Sequence, residues 1–450
     1  MNERPRRRLS RRELLVAGTG AGAALFLAGC GGSAREQISQ TDTGGEFGAG
    51  DTYEGPTVEL EFWNGFTGGD GPFMTELVKR FQSENDNITI SQNTIEWVQY
   101  YQKVPAAVKA GKGPDLGIMH VDTLATNAAR QVIVPLDDLA TALDLQEEDF
   151  QDIVWNAGIY ADQRYGIPLD IHPLGFYYNK TVMEQGGVDP ESPPQTREDY
   201  EAALEQMKSN GIEGGWVSPF IFTGGFMFLS LLWQHGGLLT NEDATEATFN
   251  SQEGVDAMTW MVGLVENGFS PKNVAQDSDA TAFIDNRNAF IWNGPWAINE
   301  YGGTKGLDWG VATLPQIGPQ QGAWAGSHNF VIMNKPDQDP NKFEAAKVFI
   351  SWISQQSIEW AKAGQVPARE SVRASRAFKN LDEQTTFAEE LPYVNFPPSV
   401  PGIADALLPL YEVGVNEAVL LKSSPQEALD KAAEQVTSIL QENAQKYGYA

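Results

Sequence analysis

Trp63, Trp216, Trp292, Trp296 and Trp324 each stand in a stretch where a chain turns: Phe62-Trp63-Asn64-Gly65, Gly214-Gly215-Trp216, Ile291-Trp292-Asn293-Gly294-Pro295-Trp296 and Gly322-Ala323-Trp324-Ala325-Gly326. An indole held at a strand end offers a flat apolar face to whatever lies beyond the sheet. A pyranose ring carries apolar C–H faces and a rim of hydroxyls, so aromatic faces with neutral polar side chains nearby match both parts. Each of these tryptophans taken alone is equally well a loop anchor packed into its own lobe. Several together point to recognition, because ligands of open α/β sheets bind outside the carboxyl ends of the strands. Trp260, Trp352 and Trp360 fall instead within helical patterns and read as core.

The residues that would break and make covalent bonds are not arranged for it in any common pattern. The chain has no Gly-x-x-x-x-Gly-Lys-Ser/Thr loop, no His-Glu-x-x-His, no Cys pair and no Gly-x-Ser-x-Gly elbow. Its four histidines, His120, His172, His235 and His328, never come at zinc-ligand spacing, and each alone reads as a structural or hydrogen-bonding residue. No catalytic set, metal site or cofactor is therefore expected. Glycoside hydrolysis needs only two carboxylates, so with 60 acidic residues a secreted glycan-acting enzyme stays open as an alternative.

The elements that must position the tryptophans are those of an α/β protein. Val58 to Trp63 alternates apolar and polar residues as a strand does. After the Gly-rich turn Asn64 to Pro72, Phe73, Leu77, Val78 and Phe81 share one face of a helix, and a second alternating strand follows around Ile88 and Ile90. Strand, helix and strand at this spacing predict a βαβ unit and a parallel sheet. Tyr101 to Ala110 reads as helix and Asp115 to Met119 as a short buried strand. Thr196 with Asp199, and Ser424 with Glu427 behind Pro425, are helix starts of the capping-box kind; Leu429, Ala432, Ala433, Val436 and Leu440 then mark the buried face of the last helix.

Composition sets the frame. The chain is 41% hydrophobic and 20% charged, the balance of a globular protein, and 450 residues are too many for one core, so two lobes are expected. A net charge of −29 argues against nucleic-acid partners, whose phosphates it would repel. One cysteine, Cys30, excludes an intramolecular disulfide.

Cys30 lies at the end of an address. Arg4, Arg6, Arg7, Arg8, Arg11 and Arg12 precede an apolar, Ala- and Gly-rich run of about 16 residues, the form of a signal peptide covering residues 1–29. Ser10-Arg11-Arg12-Glu13-Leu14-Leu15 resembles a twin-arginine export signal, and Leu27-Ala28-Gly29-Cys30 resembles a lipoprotein lipobox, which implies cleavage after Gly29 and lipidation of Cys30. Loss of six Arg and two Glu would take the net charge from −29 to −33. Residues 30–54, rich in Gly, Ser, Thr, Asp, Glu and Gln, read as a flexible tether.

Across the rest of the chain the landmarks are similar to those of extracellular solute-binding protein family 1, the maltose-binding-like components of ABC importers. They are Gly111-Lys112-Gly113-Pro114-Asp115-Leu116; Tyr165-Gly166-Ile167-Pro168 with Phe176-Tyr177-Tyr178-Asn179-Lys180; Pro193-Pro194-Gln195-Thr196; Asn286 to Trp296; and Gly364-Gln365-Val366-Pro367-Ala368-Arg369. The resemblance implies a type II periplasmic-binding-protein fold, α/β, with two lobes that are mainly parallel sheets flanked by helices and joined by hinge crossings. By analogy the N-terminal lobe is 55–170 plus 327–372 and the C-terminal lobe 171–326 plus 373–450. Carried over position by position, the ligand-binding residues are Trp63 and Asn64 on the first loop, Asp122 after the Pro-Asp strand, and Asp170 and His172 at the first crossing. Trp216, Trp292, Asn293, Trp296, Trp324, His328 and Arg369 complete the set. The implied function is capture of a mono- or oligosaccharide by a monomer anchored outside the cell membrane, and its delivery to ABC permease subunits. The resemblance leaves open another solute, such as a polyamine, iron, a peptide or a compatible solute, and a sensory role.

Overall fold

The protein is described by a computed structural model covering residues 52–449, so the export motif, Cys30 and nearly all of the tether lie outside the described residues. Strand β1 (Val58–Asn64) buries Val58, Leu60, Phe62 and Asn64 on one face. The helix Gly71–Glu84, with Pro72 in its first turn where the missing N–H costs nothing, buries Met74, Leu77, Val78 and Phe81. Met74 takes the position expected of Phe73, which stays half-buried. Strand β2 (Ile88–Thr94) pairs parallel with β1, Val58 opposite Ile88. The next helix, Trp97–Lys109, starts four residues earlier than the sequence suggests because the Glu96 carboxylate accepts from the Val98 and Gln99 N–H groups. It leads to β3 (Leu116–His120), parallel to β1 on its other side.

Beyond this unit come the hairpin β4 (Ile159–Tyr160) and β5 (Gln163–Arg164), β6 (Ile167–Pro168), β7 (Asp170–Pro173) and β8 (Gly175–Asn179). They are followed by β9 (Phe290–Asn293), β10 (Trp309–Ala312), β11 (Ala323–Gly326), β12 (His328–Ile332), β13 (Val366–Pro367) and β14 (Val394–Asn395). The first lobe is built on the sheet β2-β1-β3-β12-β6, and the second carries the sheet β10-β8-β9. A third sheet, β13-β7-β11-β14, stands at the junction. The α/β class agrees with expectation, but the sheets are not mainly parallel. Parallel pairing is confined to β1 with β2, β1 with β3, and β11 with β14; β12 runs antiparallel to β3 and β6, and β8 to β9 and β10. The reason is topological: β12 returns from the second lobe and enters the first sheet against the direction of the βαβ strands, and a returning strand needs no crossover helix.

The segments around Leu169–Asp170 and Gly326–His328 lie side by side at the junction sheet, Gly326 opposite His172 and Asn329 opposite Pro168. The first lobe packs Leu60, Phe62, Phe81, Ile118, Phe330 and Phe349 into one core, with Phe62 edge-on to Phe349 at 5.6 Å between ring centroids. The second lobe is built around the wholly buried helix Phe226–Gln234 and the helix Pro425–Tyr447. The latter starts on a capping box between Ser424 and Glu427 and buries the five residues its periodicity marks. Trp260 and Trp360 are core; Trp352 is half-buried, with Nε1 donating to Glu84.

Glu390 is a strain on the second lobe. It is fully buried; one carboxylate oxygen accepts from the Leu314 N–H and the other has no partner. Burial pushes its carboxyl well above the usual range. A raised folded-state value means that its contribution to stability is complete below the unfolded value near ~4.3 and is lost as pH rises through the folded one. Glu390→Gln is therefore expected to raise the denaturation midpoint at pH 8, by the equivalent of about 1–3 kcal/mol, and to change it little near pH 4. Urea titrations of both proteins at the two pH values measure this.

Candidate functional site

Asp170 opens β7 at the first crossing and is completely buried. Its Oδ1 accepts from the His328 backbone N–H at 3.0 Å and lies 3.1 Å from His172 Nδ1. Its Oδ2 lies 2.9 Å from His328 Nδ1 and accepts from Trp360 Nε1 at 2.7 Å. An ionised carboxylate only accepts, so the Nδ1 atoms of His172 and His328 carry the protons and Nε2 is left as the outward nitrogen of each ring. Burial opposes the charge on Asp170, but the imidazoles of His328 and His172, by charge and by hydrogen bond, hold the carboxyl far below the usual range.

His120, the last residue of β3, joins them. Its Nδ1 is 2.6 Å from Tyr101 Oη, which also accepts from the His120 backbone N–H at 2.9 Å. The three imidazole centroids are 4.3 Å apart for His172 and His328, 4.7 Å for His120 and His328, and 5.6 Å for His120 and His172. Burial, then the neighbouring His328, pushes His172 down to about 4, and burial pushes His120 well below its ordinary value. Both rings are thus neutral at pH 7.

Aromatic side chains wall this group. Trp97 lies nearly parallel to His328 at 5.7 Å and edge-on to His120 at 4.3 Å, and Phe66 meets His328 edge-on at 4.9 Å. From the second lobe Trp296 and Trp324 come within 5.9 and 6.0 Å of His172, and Trp324 is backed by Phe226, stacked at 3.6 Å. Two glycines make the approach feasible. A Cβ at position 65 would fall 2.1 Å from the Trp97 indole, and one at position 326 would fall 2.4 Å from His172 Nε2.

Of the residues singled out from the sequence, the structure brings together Asp170, His172, His328, Trp296 and Trp324. Asn64 and Asn293 shape the turns that lead to the site rather than facing it. Asn64 Oδ1 accepts from the Phe66 N–H and from Thr94 Oγ1, while Asn293 donates to Tyr301 Oη and accepts from the Gly294 N–H. Trp63 is half-buried against the first-lobe cluster that includes Tyr100, Met119 and Val331. Asp122, in the first turn of the helix Val121–Ala129, is half-buried, and burial pushes its carboxyl up to about 6.

Three expected ligand residues lie elsewhere. Trp216 and Trp292 line a small cavity inside the second lobe with Tyr200, Ser218 and Asp279; Trp292 points into the core because the strand alternation at β9 directs it toward Trp260, 6.4 Å away. Arg369 donates to Ser354 Oγ, and its guanidinium faces Asp149, because the chain leaves the junction sheet directly after β13. A groove of about 880 Å³ lined by Arg197, Glu201, His235, Asp256 and Pro319 lies on the second lobe and contains none of the clustered residues. It is larger, but the converging polar and aromatic groups are at the junction.

Sequence reasoning missed Trp97, His120, Phe66 and Tyr101. Trp97 follows the end of β2 by three residues and could have been found as a strand-end tryptophan, had the search not required a neighbouring Gly, Asn or Pro. His120 carried no local signal: the histidines of the cluster are 52 and 156 residues apart in pairs along the chain and meet only in the fold, where each is hydrogen-bonded as expected.

The profile described as bacterial extracellular solute-binding protein matches residues 76–386, well over half of the chain. The chain belongs to that family. The sn-glycerol-3-phosphate-binding periplasmic protein of Escherichia coli K12 is 23% identical over 415 residues, covering 85% of this chain and 92% of the relative. Among solved structures, an ABC transporter solute-binding protein of Thermotoga lettingae bound with α-D-tagatose has a TM-score of 0.74 at 24% identity, over 85% of this chain and 100% of the other. The cyclic α-maltosyl-1,6-maltose binding protein of Arthrobacter globiformis has a TM-score of 0.71 at 23% identity, over 86% and 100%. At these identities the likeness is one of fold, and it places this solute-binding protein among two-lobed binding proteins.

Asp170→Asn tests the network that orders the site. An amide has one accepting oxygen where the carboxylate has two, so at least one of the buried donors of His172, His328 and Trp360 loses its partner. The substitution is expected to lower stability by about 2–4 kcal/mol in urea unfolding at pH 7. A change below about 0.5 kcal/mol would show that Asp170 does not hold the crossing together.

Proposed function

We propose that the protein captures a carbohydrate, a mono- or oligosaccharide, between its lobes outside the cell and delivers it to the permease of an ABC importer. The observation that carries this is the set of three indoles, Trp97 from the first lobe and Trp296 and Trp324 from the second, arranged around hydrogen-bonding imidazoles at the lobe junction. Aromatic faces cover the C–H faces of a sugar, and neutral donors and acceptors meet its hydroxyls without the cost of burying unpaired charge. Tagatose and maltosyl ligands in proteins of the same fold support the reading.

The lobes proposed to move are 55–170 plus 327–372 and 171–326 plus 373–450, turning about the paired crossings. Contacts between them include polar ones: the Gly402 N–H donates to Thr126 Oγ1 at 2.7 Å, and Arg130 reaches Tyr447 Oη at 2.9 Å and Asp405 at 3.5 Å. Polar contacts of this kind can be exchanged for water, and a ligand touching both lobes shifts the balance toward closure by its differential affinity. The protein acts by binding without turnover and is held at the outer face of the cell membrane by lipid on Cys30, which keeps it near the permease at high local concentration.

Thermal-shift screening against a panel of mono- and oligosaccharides is the direct test. A ligand at one hundred times its Kd adds about 2.7 kcal/mol of apparent stability, so a bound sugar raises the melting temperature by several degrees. No shift across the panel, or release of a cleaved product, overturns the reading. With the sugar found, Trp296→Ala is expected to weaken binding at least tenfold by calorimetry, about 1.4 kcal/mol, and Trp292→Ala to leave it within about threefold. Cys30→Ser is expected to move the protein from the membrane to the soluble extracytoplasmic fraction; retention in the membrane would exclude the lipid anchor.

A further inference from the structure

We infer that His120, His172 and His328 form a coordination site for one divalent transition-metal ion of the zinc type, through their three Nε2 atoms. The site goes beyond the carbohydrate reading and does not depend on it.

The rings come from three separate strand ends: His120 closes β3, His172 lies in β7, and His328 opens β12. In the first sheet His120 and His328 are direct cross-strand partners, and in the junction sheet His172 is opposite Gly326. One ligand nitrogen from each of the three lies within 4.8 Å of the other two. Tetrahedral bonds of about 2.0–2.1 Å require these nitrogens to be about 3.4 Å apart, which modest rotations of the three rings supply. Glycine at position 326 lets the His172 ring sit where it does, since a Cβ there would fall 2.4 Å from Nε2.

The orientation of the rings is the second observation. Each Nδ1 is engaged by an oxygen: Asp170 takes those of His172 and His328, and Tyr101 Oη is 2.6 Å from that of His120. A metal-bound histidine characteristically gives its other N–H to a carboxylate or a similar acceptor, which fixes tautomer and ring plane. Here two of the rings have that support from one carboxylate, and the Tyr101 hydroxyl supplies it to His120 when Nδ1 carries the proton.

Charge gives a third reason. Asp170 is a fully buried carboxylate whose ion-pair partners among the described residues are His172 and His328, with no Lys or Arg. A divalent cation on the far side of the two imidazoles supplies the countercharge that a buried carboxylate requires. Three imidazole nitrogens leave a fourth position open, which a water or an oxygen of a captured solute would complete.

The test is a Zn²⁺ titration of the purified full-length protein carrying no polyhistidine tag, after EDTA treatment, in competition with a chromogenic chelator and with no sugar present. One ion per chain at submicromolar affinity is expected. His172→Ala and His120→Ala should each weaken it at least tenfold, Asp170→Asn between about tenfold and a hundredfold, and His235→Ala, outside the cluster, not at all. Co²⁺ bound to the unmodified protein is expected to show the intense visible absorption of a tetrahedral nitrogen-ligated site, a readout that does not require any variant to fold. Absence of stoichiometric binding, an octahedral Co²⁺ spectrum, or affinity unchanged in folded His172→Ala overturns the site. Because the titration contains no carbohydrate, a negative sugar panel with positive Zn²⁺ binding would remove the carbohydrate reading alone, and the converse result would remove the metal site alone.

Discussion

The carboxylate of Asp170 is the constraint on which the rest of the junction depends. A charge taken wholly out of water must be met by donors on every side, and here they come from β7, from β12 and from Trp360 in the helix Ser357–Ala361. Three chain segments distant in sequence are thereby held in one register. The paired segments of the junction run through that knot, since Asp170 begins β7 and His328 opens β12. The orientation of the imidazoles and the path of the crossing strands are therefore one problem with one solution.

The aromatic wall follows from the same point. Trp97 can lie against His328 because Gly65 leaves it space, and Trp324 is pressed toward the junction by Phe226 behind it. The first lobe contributes Phe66 and Trp97, and the second Trp296 and Trp324, so apolar faces approach the polar centre from both sides. The chain carries a net charge of −29, yet burial holds His120 and His172 below the ordinary imidazole value, and the carboxylate of Asp170 is turned inward onto its own donors. Such a site discriminates by shape and hydrogen-bond pattern rather than by attraction of charge.

Much of the fold was legible residue by residue. The alternation from Val58 to Trp63, the capping box at Ser424 and Glu427, and the periodic face Leu429 to Leu440 report local physics, and the structure reproduces each. The antiparallel entry of β12 was not legible, because strand direction depends on which neighbour a returning chain meets. At the site, the landmarks around Asp170, His172, Trp296, Trp324 and His328 led to residues that do converge. Trp216 and Trp292 met the same local criterion and line a cavity inside the second lobe; for Trp292 on β9, one step along a strand reverses the face to which a side chain points.

The amino-acid sequence by itself determined where the helices and strands form, which of their faces are buried, and the family to which the chain belongs, because each of these depends on residues within a turn or two of one another or on a recurring linear pattern. Only the tertiary structure decided that His120, His172 and His328 share one pocket around Asp170, that Trp97 belongs to it, and that Arg369 does not. Those are contacts across 52 to 231 residues of chain, from His120–His172 to Trp97–His328, between segments whose separation leaves no periodic trace.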